Sequence, residues 1–165
     1  MNKKILTALL ALTFMSAALA GCTSNDDTDD ADDTTSDVVK IGFLNPATGP
    51  LAQDAAGFEY GALQAVIDLN AAQTTTVFEA VVADSGCDGT VGAAAAQSLV
   101  DANVVAVAGA ACSGASMAAN AVLSAAGIPM ISYASTNPRL SAATAYPHFF
   151  RVVPSDAIQG PAAAA

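Results

Sequence analysis

Two hydrophobic periods alternate along this chain. Val38 to Leu44 (Val-Val-Lys-Ile-Gly-Phe-Leu) is apolar and partly β-branched, and Asn45-Pro46 and Gly49-Pro50 close it, which predicts a buried strand and a turn. Phe58, Ala62, Ala65, Val66 and Leu69 then recur at helical spacing, with Asp54 placed as a cap and Asn70 as a stop. Val77–Ala83 predicts a second strand, Thr90–Asp101 a second helix, Val104–Ala108 a third strand, and Ser116–Ala126 a third helix closed by Gly127. Ile128–Tyr133 reads as a fourth strand, Asn137-Pro138 breaks the chain, and Phe149–Val153 reads as a fifth strand before Pro154. Strands alternating with helices predict an α/β fold with a mostly parallel sheet, helices on both faces and right-handed crossovers.

Ligands of such sheets bind outside the carboxyl ends of the strands. The loops at residues 45–54, 84–89, 109–114 and 134–139 therefore carry the candidate chemistry. Gly109-Ala-Ala-Cys-Ser-Gly114 is a small-residue loop running into a helix N-terminus, where free N–H groups and the dipole favour an anion. Ser113 stands there as a plain N-cap or as a ligand donor, and the two roles are compatible. Ala134-Ser-Thr-Asn-Pro138 offers two more hydroxyls from the next strand end.

The N-terminus has a different character. Lys3 and Lys4 precede an apolar run from Ile5 to Phe14 and small residues from Ser16 to Gly21, the layout of a secretory signal peptide over residues 1–21 and too short for a stable membrane span. Leu19-Ala20-Gly21-Cys22 resembles the bacterial lipobox, which implies acylation of Cys22 as the first mature residue. An ordinary signal peptide with an incidental Cys22 is the alternative. After Cys22, residues 23–37 contain no apolar side chain larger than alanine and a dense run of aspartates, so 22–37 reads as a solvated acidic tether. A calcium-binding EF-hand loop would need a Gly and a terminal Glu that are missing there.

Charge and composition narrow the function classes. The formal net charge of −10 is uneven, because seven of the fifteen acids lie in the tether. From Val38 onward only Lys40, Arg139 and Arg151 are basic, so no patch exists to neutralise phosphates and nucleic acid is not expected as a partner. The absence of lysine after Lys40 excludes a Walker-type loop, a Schiff-base lysine and a Ser-x-x-Lys nucleophile. Apolar residues at 53% against 12% charged allow a sizeable core. With Cys22 assigned to lipid, Cys87 and Cys112 remain, an even pair in a compartment that permits disulfides. Their loops follow strands read as neighbours at one sheet edge, and a bridge there is worth roughly 3 to 4 kcal/mol. Catalytic readings fare poorly. The sole histidine, His148, reads as a surface or packing residue rather than a general base, and no Gly-x-Ser-x-Gly elbow or Gly-x-Gly-x-x-Gly turn is present where it would be needed. Asp84 and Asp88 flank Cys87 without a histidine partner and read as solvated loop residues rather than metal ligands. No catalytic residue, metal or cofactor is expected.

Four segments carry a resemblance: Ile-Gly-Phe-Leu-Asn-Pro-Ala-Thr-Gly-Pro-Leu-Ala-Gln at 41–53, Asp-Ser-Gly-Cys-Asp at 84–88, Pro-Met-Ile-Ser-Tyr-Ala-Ser-Thr-Asn-Pro-Arg-Leu at 129–140, and Phe-Arg-Val-Val-Pro-Ser-Asp-Ala-Ile-Gln-Gly-Pro at 150–161. Together, over about 38–165, they resemble the substrate-binding proteins of ABC transporters for branched-chain amino acids, the leucine/isoleucine/valine-binding family with the type I periplasmic-binding fold. The resemblance implies a Cys87–Cys112 disulfide. It also implies that Ser113 and Thr136 hydrogen-bond the zwitterionic end of an amino acid while Ala134 contributes backbone groups. Asp54 stands where family members often have an aromatic near the ligand, which implies a ligand that is polar, cationic or not an amino acid. Two lobes joined by a hinge are implied as well, with residues 38–153 as a partial first lobe and 154–165 as the hinge and start of the second. The chain is accordingly expected to be an N-terminal fragment. The expected function is that of an exported solute-binding lipoprotein, anchored through Cys22 and facing the periplasm or extracellular space. It would deliver an amino-acid-like solute to ABC permease subunits and perform no chemistry. A sensor of the same fold, signalling ligand occupancy to a membrane partner, is the alternative.

Overall fold

The computed structural model describes residues 37–165, so the signal peptide, the lipobox with Cys22 and the tether through Ser36 lie outside the described residues. Five strands form one parallel sheet: β1 (Asp37–Asn45), β2 (Thr76–Asp84), β3 (Ala106–Ala108), β4 (Met130–Ser132) and β5 (Phe149–Arg151). Their spatial order is β2-β1-β3-β4-β5. The β1–β2 ladder runs from Asp37 opposite Thr76 to Asn45 opposite Asp84, while Phe43 pairs with Ala108, Val107 with Met130, and Met130 with Phe149. Helices α1 (Ala55–Ala72), α2 (Gly89–Asp101) and α3 (Ser113–Ala125) make the crossovers, and a short α4 (Gln159–Ala164) follows β5. Among the described residues, no helix is long and apolar enough to cross a membrane.

Adjacent strand residues point to opposite faces, so Phe43 and Leu44 serve different layers. Leu44, Val107 and Met130 pack with Ala95, Ala96 and Leu99 of α2 and with Ala115, Ala119 and Leu123 of α3, forming the buried core. Its alanines and glycines allow close approach. A side chain at Gly92 would sit 3.1 Å from Ala115, and one at Gly42 would sit 2.9 Å from a Leu99 methyl. On the opposite face, Ile41, Phe43, Ala80 and Ala108 share a groove with Ala62, Ala65, Val66 and Leu69 of α1. The expected helices on both faces are thus present, α1 on one side and α2 with α3 on the other.

Several boundaries differ from the pattern-based expectation, each for a tertiary reason. The third strand starts later than Val104, because Val104 still donates to Leu99 O at the end of α2, whereas Val105 donates to Lys40 O of β1. The fourth and fifth strands are likewise shorter than their apolar runs. Asp54 makes no capping bond, since a 3-10 turn (Ala52–Asp54) runs straight into α1 and leaves Asp54 helical at φ −96°, ψ −11°. Asn70 does not stop α1, which continues to Ala72. Its side-chain amide instead donates to Phe78 O and accepts from Phe78 N, at 2.9 and 2.8 Å, satisfying the outer edge of β2.

Candidate functional site

The carboxyl ends of β1, β2, β3 and β4 open into the loops singled out by sequence. Cys87 and Cys112 form a disulfide with Cα atoms 5.1 Å apart, within the ordinary bridging range. Their strands are not neighbours as the sequence reading had it: β1 lies between β2 and β3, so the bridge ties together loops on either side of β1. Asp84 is the last residue of β2 rather than part of the loop, and it is only partly exposed. Its carboxylate accepts from Thr48 N at 3.1 Å, Thr48 Oγ1 at 2.6 Å and Gly86 N at 2.8 Å. Burial pushes its pKa up, but hydrogen bonds from the Thr48 hydroxyl and from backbone at Gly86, Thr48 and Ala47 outweigh burial and hold the carboxyl below its ordinary 3.8. Asp88 caps α2, accepting from Thr90 N and Val91 N at 2.7 and 3.0 Å.

A tight backbone approach fixes the β3 loop. Gly109 adopts φ +113°, and a side chain there would come within 2.6 Å of Leu44 O. Beyond it, the buried hydroxyls of Ser116, Ser132 and Ser135 converge on the carbonyl of Ala110 at 3.1, 2.6 and 3.1 Å. Ser116 and Ser135 also touch each other at 2.8 Å, and Ser132 Oγ accepts from Ser135 N at 2.9 Å. This knot binds the loop after β3 to the loop after β4 with no charged group.

Ser113 and Thr136 lie on those two loops. Ser113 is the first residue of α3 rather than its N-cap, because Cys112, extended at φ −90°, ψ 131°, occupies the cap position. The capping role considered for Ser113 is therefore excluded. Its hydroxyl accepts from Asn137 N at 3.2 Å, which brings it against the Ala134–Asn137 segment. Ala134 N donates to Ser132 Oγ at 3.3 Å. Thr136 donates its hydroxyl to Asp156 Oδ2 at 2.9 Å, and Asp156 N donates back to Thr136 O at 2.9 Å. Arg151 supports the same segment from behind, donating through one nitrogen to the carbonyls of Ser135 and Asn137 at 3.4 and 3.1 Å. The three sequence-predicted ligand residues are thus brought to one sheet edge. Ser116, Ser132, Ser135, Arg151 and Asp156 were missed as contributors. The Ser-x-x-Ser spacing at 132–135 was visible, but nothing local marked it as buried.

His148 is exposed and immediately precedes β5, at the amino-terminal edge of the parallel sheet and away from these loops. Asp54 is exposed at the end of the 3-10 turn after β1. Phe43, Gly57, Phe58, Gly61, Ala62, Ala108 and Tyr133 line an apolar groove of about 360 Å³ between α1 and the sheet, and Asp54 is not among its lining residues. Tyr133 stacks at 5.7 Å on Phe43 and tilts at 5.2 Å on Phe58, and burial pushes its phenol up to about 12.

Comparison with known proteins bears on the family and the fold. Residues 60–165 match the family described as "Receptor family ligand binding region". The chain is 31% identical over 159 residues to the leucine-, isoleucine-, valine-, threonine- and alanine-binding protein of Pseudomonas aeruginosa, covering 95% of this chain and 40% of that one. The crystal structure of the branched-chain amino acid transporter substrate-binding protein LivJ from Streptococcus pneumoniae, in complex with isoleucine, superposes with a TM-score of 0.66 at 33% identity, over 72% of this chain and 34% of that one. A solute-binding protein of an ABC transporter from Rhodopseudomonas palustris, in complex with 3,4-dihydroxybenzoic acid, shares the fold at a TM-score of 0.62 and 22% identity, over 72% and 32% of the two chains. The chain thus spans well under half the length of these relatives. With a family match over most of its described residues and the parallel α/β fold of LivJ, this chain belongs to the receptor-type ligand-binding family of type I periplasmic-binding proteins.

Proposed function

We propose that the chain is the first ligand-binding lobe of a solute-binding lipoprotein of an ABC importer, taking up amino acids or amino-acid-like solutes. The observation that carries this reading is the meeting of Ser113, at the start of α3, with the Ala134–Asn137 segment through the 3.2 Å bond from Asn137 N. The first N–H groups of α3 have no partner within the helix and lie at its positive end, which suits a carboxylate. Thr136 and the backbone of Ala134 then serve the ammonium end. A free amino acid carries these two charges a few ångströms apart. The kinship with a protein named for binding leucine, isoleucine, valine, threonine and alanine supports the same ligand class. On this reading the protein performs no chemistry and hands its ligand to permease subunits. Residues 38–153 form the partial first lobe and 154–165 begin the hinge. Cys22 carries the lipid that holds the exported protein at the membrane.

Calorimetric titration of the full-length, two-lobed protein with the protein amino acids, aliphatic, polar and cationic, tests the ligand class. Saturable binding of at least one, weakened about tenfold or more in Ser113→Ala, is expected. Binding of none refutes the reading, and unchanged binding in Ser113→Ala refutes the site. An acyl mass on Cys22 in the mature N-terminal peptide tests the anchor, and an unmodified Cys22 refutes it. The family's description as a receptor region favours a second reading, a sensor. Co-purification with a kinase or regulator rather than with permease and ATPase subunits would select it.

A further inference from the structure

We propose that the outer edge of the sheet, β2 with α1 above it, pairs with the same edge of a second copy of this chain, joining two sheets into one. β2 is the edge strand in the order β2-β1-β3-β4-β5. Such an edge turns the N–H and C=O of every second residue outward. At the start of β2 those groups are taken: Thr76 N and O by the Gln73 side chain, and Phe78 N and O by Asn70. By the same alternation Ala80 and Val82 turn outward, and among the described residues nothing pairs with them there.

The helix above this free stretch presents an apolar row. Leu63 and Ile67 lie seven and three residues before Asn70, on the side of α1 that reaches the edge. Ala56 and Tyr60 extend the row toward the start of the helix. Tyr60 is 70% exposed, Ile67 59% and Leu63 39%. Val82, on the same face as the groove-lining Ala80, is exposed beneath them. The row carries no charge of its own. The acids flanking it are engaged within the chain, Glu59 by Asn45 Nδ2 at 2.9 Å and Asp68 by Gln64 Nε2 at 2.8 Å.

An extended peptide would leave the helix row bare, and a lone helix would leave the strand groups unpaired. A second copy covers both. A two-fold axis through the edge at Val81 sets β2 antiparallel to the partner's β2, so Ala80 and the partner's Val82 exchange both bonds, and both α1 helices stay on one face. Counting about 1.5 Å per helix residue and about 3.3 Å per strand residue from the Asn70–Phe78 contact, Leu63 stands level with Val81, on the axis. The partner's Ile67 then lies opposite Glu59, where Ala56, Glu59, Tyr60 and Leu63 line an open concavity of about 310 Å³. The row is about 17 Å long and one helix wide, which places the contact at the low end of specific interfaces, with a dissociation constant on the order of 100 µM.

Sedimentation of the full-length protein, followed from about 10 µM to about 1 mM, is the test. The average mass is expected to rise from one copy toward two. Ile67→Glu drives an acid into the concavity. Val82→Pro removes one outward N–H while leaving the ladder with β1 whole. Each should weaken the dimer about tenfold or more, with circular dichroism showing that the variant is folded. Should Val82→Pro not fold, Val82→Lys sets a charge under the apolar row and reads the same edge. A single copy at every concentration leaves the edge to some other chain and overturns the inference, as does a dimer that both variants leave unchanged. A loss in one variant alone overturns it too, because helix row and strand edge would then not be covered together.

Discussion

Replacing Cys87 and Cys112 together by serine opens a loop whose ends are 25 residues apart in sequence. In the chain-entropy account, the crosslink removes conformational freedom from the unfolded chain in proportion to the logarithm of loop length, and this separation corresponds to about 3.5 kcal/mol at room temperature. For a domain of this size the double variant should melt about 10–15 °C lower than the wild type. Urea unfolding followed by circular dichroism is the assay, and reduction of the wild type should reproduce the variant. Ligand affinity should fall much less than stability. The loop before Ser113 has other ties: three buried serine hydroxyls meet the Ala110 carbonyl, and Gly109 N donates to Ile131 O at 2.8 Å. A stability loss under about 1 kcal/mol would refute the entropic argument for this loop. A full loss of binding in a folded variant would refute the serine knot as the element that holds the site.

Three further outcomes follow from particular contacts. Because the folded pKa of Asp84 is depressed, its stabilisation is present above its unfolded value of 3.8 and is lost as pH falls through the folded value. The urea midpoint of Asp84→Asn should therefore lie below the wild type at neutral pH and converge with it in acid, and a gap that persists in acid would contradict this. Gly109→Val combines a backbone at φ +113° with a side chain driven against Leu44 O, so a cost of about 3 kcal/mol or more is expected, and a near-neutral midpoint would show that the loop re-forms elsewhere. Leu99 is wholly buried between α2 and the sheet, so Leu99→Ala should cost about 2–5 kcal/mol by the same assay, and less than 1 kcal/mol would mean that the core closes over the gap.

The alternation of apolar strands and helical stripes was enough to specify a parallel α/β sheet, the order of its elements along the chain, and the loops that meet at the carboxyl edge. Those features follow from periods of two and 3.6 residues, which are local properties of the sequence. The same local view misjudged Asp54 and Asn70, because capping depends on whether the preceding backbone is extended and a polar helix residue can be claimed by a strand edge. It also treated β2 and β3 as neighbours, since adjacency along the chain does not state which strand takes the centre of a sheet. The chemistry of the site was less legible still. The loops carrying Ser113, Ala134 and Thr136 were legible, and their ligand roles came through resemblance, whereas the roles of Ser116, Ser132, Ser135, Asp84 and Asp156 are set by hydrogen bonds to partners 19 to 36 residues away or to backbone across the sheet edge. Sequence alone thus determined which segments could be strands, helices and ligand loops. Only the tertiary structure decided which hydroxyl gives a proton and which receives one, because that depends on the neighbour folding places beside it.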